Sequence, residues 1–140
     1  MDHKEKLAQQ FITALPHARE LGLTVTRIGD GHAEIAMPYD PRLVGDPATG
    51  VIHGGAVSTV MDTCCGAAVM SHPSAPGGTA TIDLRIDYMR PATPGQAITT
   101  RATCHQITRT VAFVRAVAMD EDEDRPVATA AGAFTVEKKF

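Results

Sequence analysis

The spacing of apolar residues changes character several times along the chain. In residues 3–15 (HKEKLAQQFITAL), Leu7, Phe11, Ile12 and Leu15 recur at helical spacing and predict a helix with one apolar face. Pro16 ends it, with a further turn reaching Glu20. LTVTRI and HAEIAM then alternate on either side of Gly29-Asp30-Gly31, which predicts a hairpin. Residues 38–50 (PYDPRLVGDPATG) hold three prolines and two glycines and predict an ordered loop. Residues 54–71 are small, apolar and almost without polar surface, so they predict a helix enclosed on all sides by other structure. From Thr79 to Arg90 the period becomes two: Ala80, Ile82, Leu84, Ile86 and Tyr88 alternate with Thr79, Thr81, Asp83, Arg85 and Asp87. That alternation predicts a strand with one buried face. PATPG breaks it, and three more strands are expected over about 96–107, 110–119 and 126–136.

No parallel crossover pattern is present, so the strands should form an antiparallel sheet. A sheet folded around the apolar helix satisfies both burial patterns, and the expected class is α+β. Neither an internal repeat nor a linker divides the chain. Residues 1–140 are read as one domain, with an N-terminal helix over about 3–20.

Composition agrees with that reading: 140 residues with 44% hydrophobic and 21% charged content are enough for one domain with a core. No apolar run is long enough to span a membrane, and MDHKEKLAQQ lacks the apolar stretch of a secretory signal. Cys64, Cys65 and Cys104 are odd in number, with two adjacent, and suggest neither a disulfide framework nor a CxxC motif, so a cytoplasmic location is expected. The net charge of −3 conceals the acidic run DEDED at residues 120–124, read as a solvated hairpin tip. Between Lys6 and Lys138 every basic residue is arginine, the side chain suited to phosphate. An acidic chain with 4% aromatic content is nevertheless a poor nucleic-acid binder.

Asp62 is the residue that needs explaining. From Val51 to Met70 it is the only residue with a formal charge when His53 is neutral, and no lysine or arginine lies one helical turn away. A carboxylate in such a setting can serve as a general base. It can also be structural, accepting hydrogen bonds from Ser58, Thr59 or Thr63, or pairing with an arginine carried by a strand. The segment begins with His53-Gly54-Gly55. Glycines at a helix start admit a ligand to the backbone, and the first N–H groups there can donate to an oxygen that gains negative charge. A tight entry turn is the plainer reading of the same three residues.

Geometry constrains the catalytic reading. Gly54 and Asp62 are eight residues apart on one helix, or about 12 Å along its axis at the usual rise. A carbonyl oxygen held by Gly54 is then out of reach of a group held by Asp62 of the same helix. If both act on one substrate, they come from two chains, and two antiparallel helices about a two-fold axis give two equivalent sites per dimer.

The segments GVIHGGAVSTVMDTCCGAAV, TIDLRIDYMRPATPGQAI and TRTVAF resemble the PaaI-type hotdog-fold acyl-CoA thioesterases over roughly residues 20–136. The resemblance rests on a His-Gly-Gly with an Asp nine residues after the His, and on a strand ending in Tyr-x-Arg-Pro. It implies an antiparallel sheet wrapped around a long central helix, homodimers with composite sites, and further pairing into a dimer of dimers. The implied reaction is hydrolysis of an acyl-CoA thioester, with coenzyme A as part of the substrate and no cofactor. Asp62 then falls on the general base or nucleophile and Gly54 on the oxyanion donor. His53 and Gly55 border the site, and Thr81 falls where some relatives have a serine that places the water. Arg90, Pro91, Arg109 and Thr110 lie in segments like those that contact coenzyme A. The chain departs from the pattern at Pro47, where several relatives have an asparagine.

Cys64 and Cys65 sit mid-helix among small residues and are read as packing. The six histidines show no metal-ligand spacing, and no metal is expected. Two other functions fit the same resemblance: a hotdog dehydratase using His53, and a non-catalytic acyl-CoA binding module. Release of free thiol separates both from hydrolysis.

Overall fold

The computed structural model describes residues 3–138. Helices α1 (His3–Ala14) and α2 (Pro16–Glu20) come first, followed by β1 (Thr24–Gly29) and β2 (His32–Met37). A short 3-10 turn (Pro41–Leu43), β3 (Val44–Asp46) and β4 (Val51–Ile52) lead into α3 (Gly54–Met70). The remaining strands are β5 (Thr81–Tyr88), β6 (Ile98–Ile107), β7 (Val111–Met119) and β8 (Ala128–Thr135). Six of the strands form one sheet in the order β1-β2-β6-β7-β8-β5, with every neighbouring pair antiparallel. This is the expected α+β arrangement, with α3 lying on the sheet over β2, β6 and β7.

The local chemistry accounts for the elements. Asp30 and Gly31 both take positive φ, 53° and 85°, as the two-residue turn between Gly29 and His32 requires. Pro16 stops α1 and also occupies the first turn of α2, where a missing N–H costs nothing. The loop read over 38–50 is ordered, and it carries the two-stranded sheet of β3 and β4.

Small side chains set how closely α3 approaches the sheet. Ala33, Ala102, Ala116, Ala118 and Ala130 occupy buried sheet positions, while Ala56, Val57, Val60, Met61, Cys64, Cys65, Ala68 and Val69 are buried on the helix. Cys64 Sγ donates to the carbonyls of Ala33 and Thr100 at 3.4 and 3.3 Å.

Three expectations need correction. Helix α3 is not enclosed all round: Gly54, Ser58, Asp62, Thr63, Gly66, Ala67 and Met70 are only partly buried. The strand with the clearest alternation, β5, is an edge strand joined to the sheet only through β8, and its apolar Ile82 and Tyr88 remain 56% and 53% exposed. The helix is centred over β2, β6 and β7, nearer the middle of the sheet, and covers β5 only in part. On α1, Ile12 is buried against the core but Phe11 is 61% exposed, with Leu7 and Leu15 beside it on the outer side.

The acidic run is also not wholly solvated. Asp120, its first residue, has a fully buried side chain that receives both arms of Arg90 at 2.7 and 2.8 Å. The backbone N–H and hydroxyl of Thr93 add hydrogen bonds of 3.0 and 2.9 Å, and Asp122 N–H adds another of 3.0 Å. The Arg90 guanidinium holds the Asp120 carboxyl well below the usual aspartate range, helped by Thr93 and Asp122.

Asp120→Asn leaves Arg90 without its charge partner in a largely buried site, and a loss of about 3 kcal/mol in urea unfolding at pH 7 is expected. Because the folded carboxyl has a depressed pKa, its contribution is complete above the unfolded value of about 3.9 and is lost as pH falls below it. The gap between wild type and Asp120→Asn should therefore narrow in acid. The hydroxyl of Thr100 is buried with no hydrogen-bond partner among the described residues. Thr100→Val removes that unsatisfied group at constant shape and should raise stability by about 1 kcal/mol in the same measurement.

Candidate active site

The site begins where β4 hands the chain to α3. His53 is extended (φ −61°, ψ 137°) and is the residue that caps the helix. Its N–H donates to Leu43 O at 2.8 Å, which ties the cap to the preceding 3-10 turn. Gly45 lies so close that a Cβ there would sit 2.8 Å from His53 Cα, so glycine is required for β3 to pass. The first-turn amides are then assigned one by one. Ala56 and Val57 donate to His53 O at 3.0 and 3.4 Å, and Gly55 donates to His53 Nδ1 at 2.7 Å. No acceptor for the Gly54 N–H is found among the described residues. Gly54, the predicted oxyanion donor, thus has an uncommitted N–H at the positive end of α3. Gly55, predicted beside it, has its N–H occupied by the histidine ring.

Tyr88, at the end of β5, entered the sequence reading as the first residue of the Tyr-x-Arg-Pro motif but was given no role there. Its hydroxyl donates to Gly54 O at 2.8 Å, and a Cβ on Gly54 would lie 3.3 Å from its ring. Its sequence signals are that motif and its place on the apolar face of the β5 alternation.

Asp62 lies two turns further along the same uninterrupted helix. Thr81 Oγ1 donates to its Oδ1 at 2.7 Å, which brings together two predicted site residues. The local alternatives do not apply to the hydroxyls of Ser58 and Thr59, which both donate to Gly55 O, at 2.9 and 2.8 Å. Among the described residues no arginine, lysine or histidine pairs with Asp62. Burial pushes the neighbouring Cys65 thiol up to about 12, with the Asp62 charge adding to the effect. Cys64 is likewise raised by burial, so both thiols stay protonated near neutrality and neither is a ready nucleophile.

Beside the helix start is a cavity of about 300 Å³, lined on its apolar side by Leu21, Leu43, Val44 and Ala56, with His53 and His17 among its polar walls. Asp46, next to Pro47, is committed to its own turn, accepting from Ala48 N–H and Thr49 Oγ1 at 3.0 Å each.

The residues expected at coenzyme A divide. Arg90 is a correction: its guanidinium is spent on Asp120 and on the carbonyls of Arg125 and Pro91, so no donor is left for a phosphate. Pro91 is exposed beside it. Arg109 and Thr110 are exposed at the turn between β6 and β7, and Arg109 has no ion pair among the described residues. Among the described residues no helix is long and apolar enough to cross a membrane, and no group of three or more His, Cys, Asp or Glu could hold a metal ion.

Known proteins agree with this architecture. The chain is 27% identical over 143 residues to the medium/long-chain acyl-CoA thioesterase YigI of Escherichia coli K12, covering 93% of this chain and 91% of that protein. A solved Pseudomonas aeruginosa protein is 38% identical, with a TM-score of 0.82 over 93% of this chain and 96% of the other. The PaaI protein of the E. coli phenylacetic acid degradation operon superposes with a TM-score of 0.84 at 19% identity, over 96% and 94% of the two chains, and so shares the hotdog fold. The family model described as the thioesterase superfamily matches residues 49–127, more than half of the sequence and the whole run from the cap of α3 through Asp62, Thr81 and Tyr88. The chain belongs to the thioesterase superfamily.

Proposed function

We propose that this chain hydrolyses the thioester of a small or medium acyl- or aryl-acyl-coenzyme A, in sites shared between two protomers. The observation that carries the reading is the pair of uncommitted groups on α3. The Gly54 N–H has no acceptor, and Asp62 has one oxygen held by Thr81 and the other without a donor among the described residues. The thioester carbonyl oxygen accepts from Gly54 of one protomer and gains charge there as the tetrahedral intermediate forms. Asp62 of its partner takes a proton from water, whose oxygen bonds to the carbonyl carbon; alternatively its carboxylate attacks that carbon, and the resulting acyl-aspartyl anhydride is then cleaved by water to release the acid and restore Asp62. The C–S bond breaks, and the coenzyme A thiolate leaves and takes up a proton.

The exposed edge of β5 and the half-open face of α3 support a second copy as the partner, because both belong to the surface that carries Asp62 and Gly54. Pairing of such dimers into tetramers remains part of the proposal. The YigI relatives are named for medium and long chains. Arg109 and Thr110 are proposed for the phosphates of coenzyme A.

Asp62→Asn should lower thiol release from acyl-coenzyme A by at least about a hundredfold, followed with a thiol reagent. Turnover equal to wild type would sink the assignment.

Shared sites make a separate, sharper expectation. Gly54→Pro removes the donor N–H at a first-turn position that follows an already extended His53, although its added Cβ lies 3.3 Å from the Tyr88 ring. Each variant alone should be nearly inactive. In randomly mixed dimers of Gly54→Pro and Asp62→Asn, half the molecules are hybrids and each hybrid has one intact site, so about a quarter of wild-type activity should return. No recovery after verified exchange of subunits would place both groups in one chain.

A further inference from the structure

The peptide group between Gly54 and Gly55 is held at both ends. Its carbonyl accepts from Tyr88 at 2.8 Å, and its N–H donates to His53 Nδ1 at 2.7 Å. Both residues are glycines, which restrict the backbone least, and they stand in the first turn of α3. The N–H of Gly54 belongs to the adjacent peptide plane, which shares the Gly54 Cα with the clamped one. Fixing the 54–55 plane removes rotation on one side of that Cα. The plane that carries the Gly54 N–H is held at its other end, where His53 O accepts from Ala56 and Val57 at 3.0 and 3.4 Å, and Tyr88 and His53 Nδ1 add the restraint from the 54–55 side. His53 Nδ1 acts as acceptor, because a backbone N–H can only donate, so the ring carries its proton on Nε2.

We infer that Tyr88 is a positioning residue for the thioesterase reaction, clamping the Gly54–Gly55 peptide together with His53 so that the Gly54 N–H is aimed before substrate arrives. The inference rests on the proposed role of Gly54 and adds to it the device that fixes its direction. A donor aimed in advance stabilises developing charge without reorganising at the moment of reaction. Tyr88 never touches the substrate in this role. It stands on the exposed edge strand, so the same residue links the surface proposed for the second protomer to the aim of the amide.

Tyr88→Phe keeps the ring against Gly54 and removes only the hydroxyl. For this variant kcat should fall about tenfold, while KM and the affinity for a non-hydrolysable thioether analogue stay within about twofold. Amide hydrogen exchange, resolved on glycine-labelled protein by NMR, should show the Gly55 N–H exchanging at least about tenfold faster in the variant than in wild type. Oligomeric state by light scattering should not change. Unaltered Gly55 exchange overturns the clamp, and faster exchange with unchanged kcat overturns its link to the reaction. A rise in KM alone also overturns that link, since it would place Tyr88 in binding. Wild-type protein that releases no thiol overturns the hydrolytic function instead, and the exchange measurement still decides the clamp.

Discussion

Close packing of α3 on the sheet is the constraint from which the rest of the structure follows. Alanines on β2, β6, β7 and β8 face a helix whose own inner surface is alanine, valine, methionine and cysteine. Small surfaces let the two backbones approach, and dense interiors tolerate little displacement once they do. The helix is therefore fixed along its whole length. Its N-terminal amide and Asp62, two turns on, are held at a set separation by the same contacts.

That rigidity decides how the site can be built. A flexible segment could bring an amide and a carboxylate together, whereas a straight, packed helix cannot, since eight residues span about 12 Å. Under the proposed mechanism the two groups meet across a two-fold axis, and the fold leaves the surface for that open. Edge strand β5 runs beside α3 and touches it at both ends, through Tyr88 at Gly54 and Thr81 at Asp62. An exposed edge with apolar side chains is a hazard unless something covers it. A second copy would cover it and complete two sites together.

Much of this was legible in the sequence. The first hairpin with its Asp-Gly turn, four long strands after the apolar helix, and that helix itself followed from period and turn chemistry, while the family motif named Thr81 but not its hydrogen bond to Asp62. The misses share one cause. Periodicity says which side chains share a face but not what covers that face, so β5 was read as half-buried when it lies at the sheet edge. The outward stripe of α1 failed for the same reason. The contacts of Tyr88 and Thr93 were missed because their partners lie 34 and 27 residues away, and no local pattern encodes such meetings. Arg90 was assigned to a phosphate because arginine type and motif position suit one. Its partner Asp120, 30 residues on, uses it first.

Two aspartates make the general point. By sequence, Asp120 looked like one of five solvated acids and Asp62 like a carboxylate sealed in a core. The structure reverses them. Asp120 is enclosed and receives donors from Arg90, Thr93 and Asp122 on both oxygens. A carboxylate saturated in this way has no lone pair left for chemistry and serves as a fastening for the hairpin. Asp62 is only half-buried, and a single hydroxyl holds one of its oxygens. An arginine fork at that position would orient the group equally well but would fill both oxygens and exclude water. A threonine hydroxyl fixes the direction of the carboxylate and leaves the second oxygen to act. The number of donors around each carboxylate, more than its burial, separates the structural aspartate from the one proposed to react.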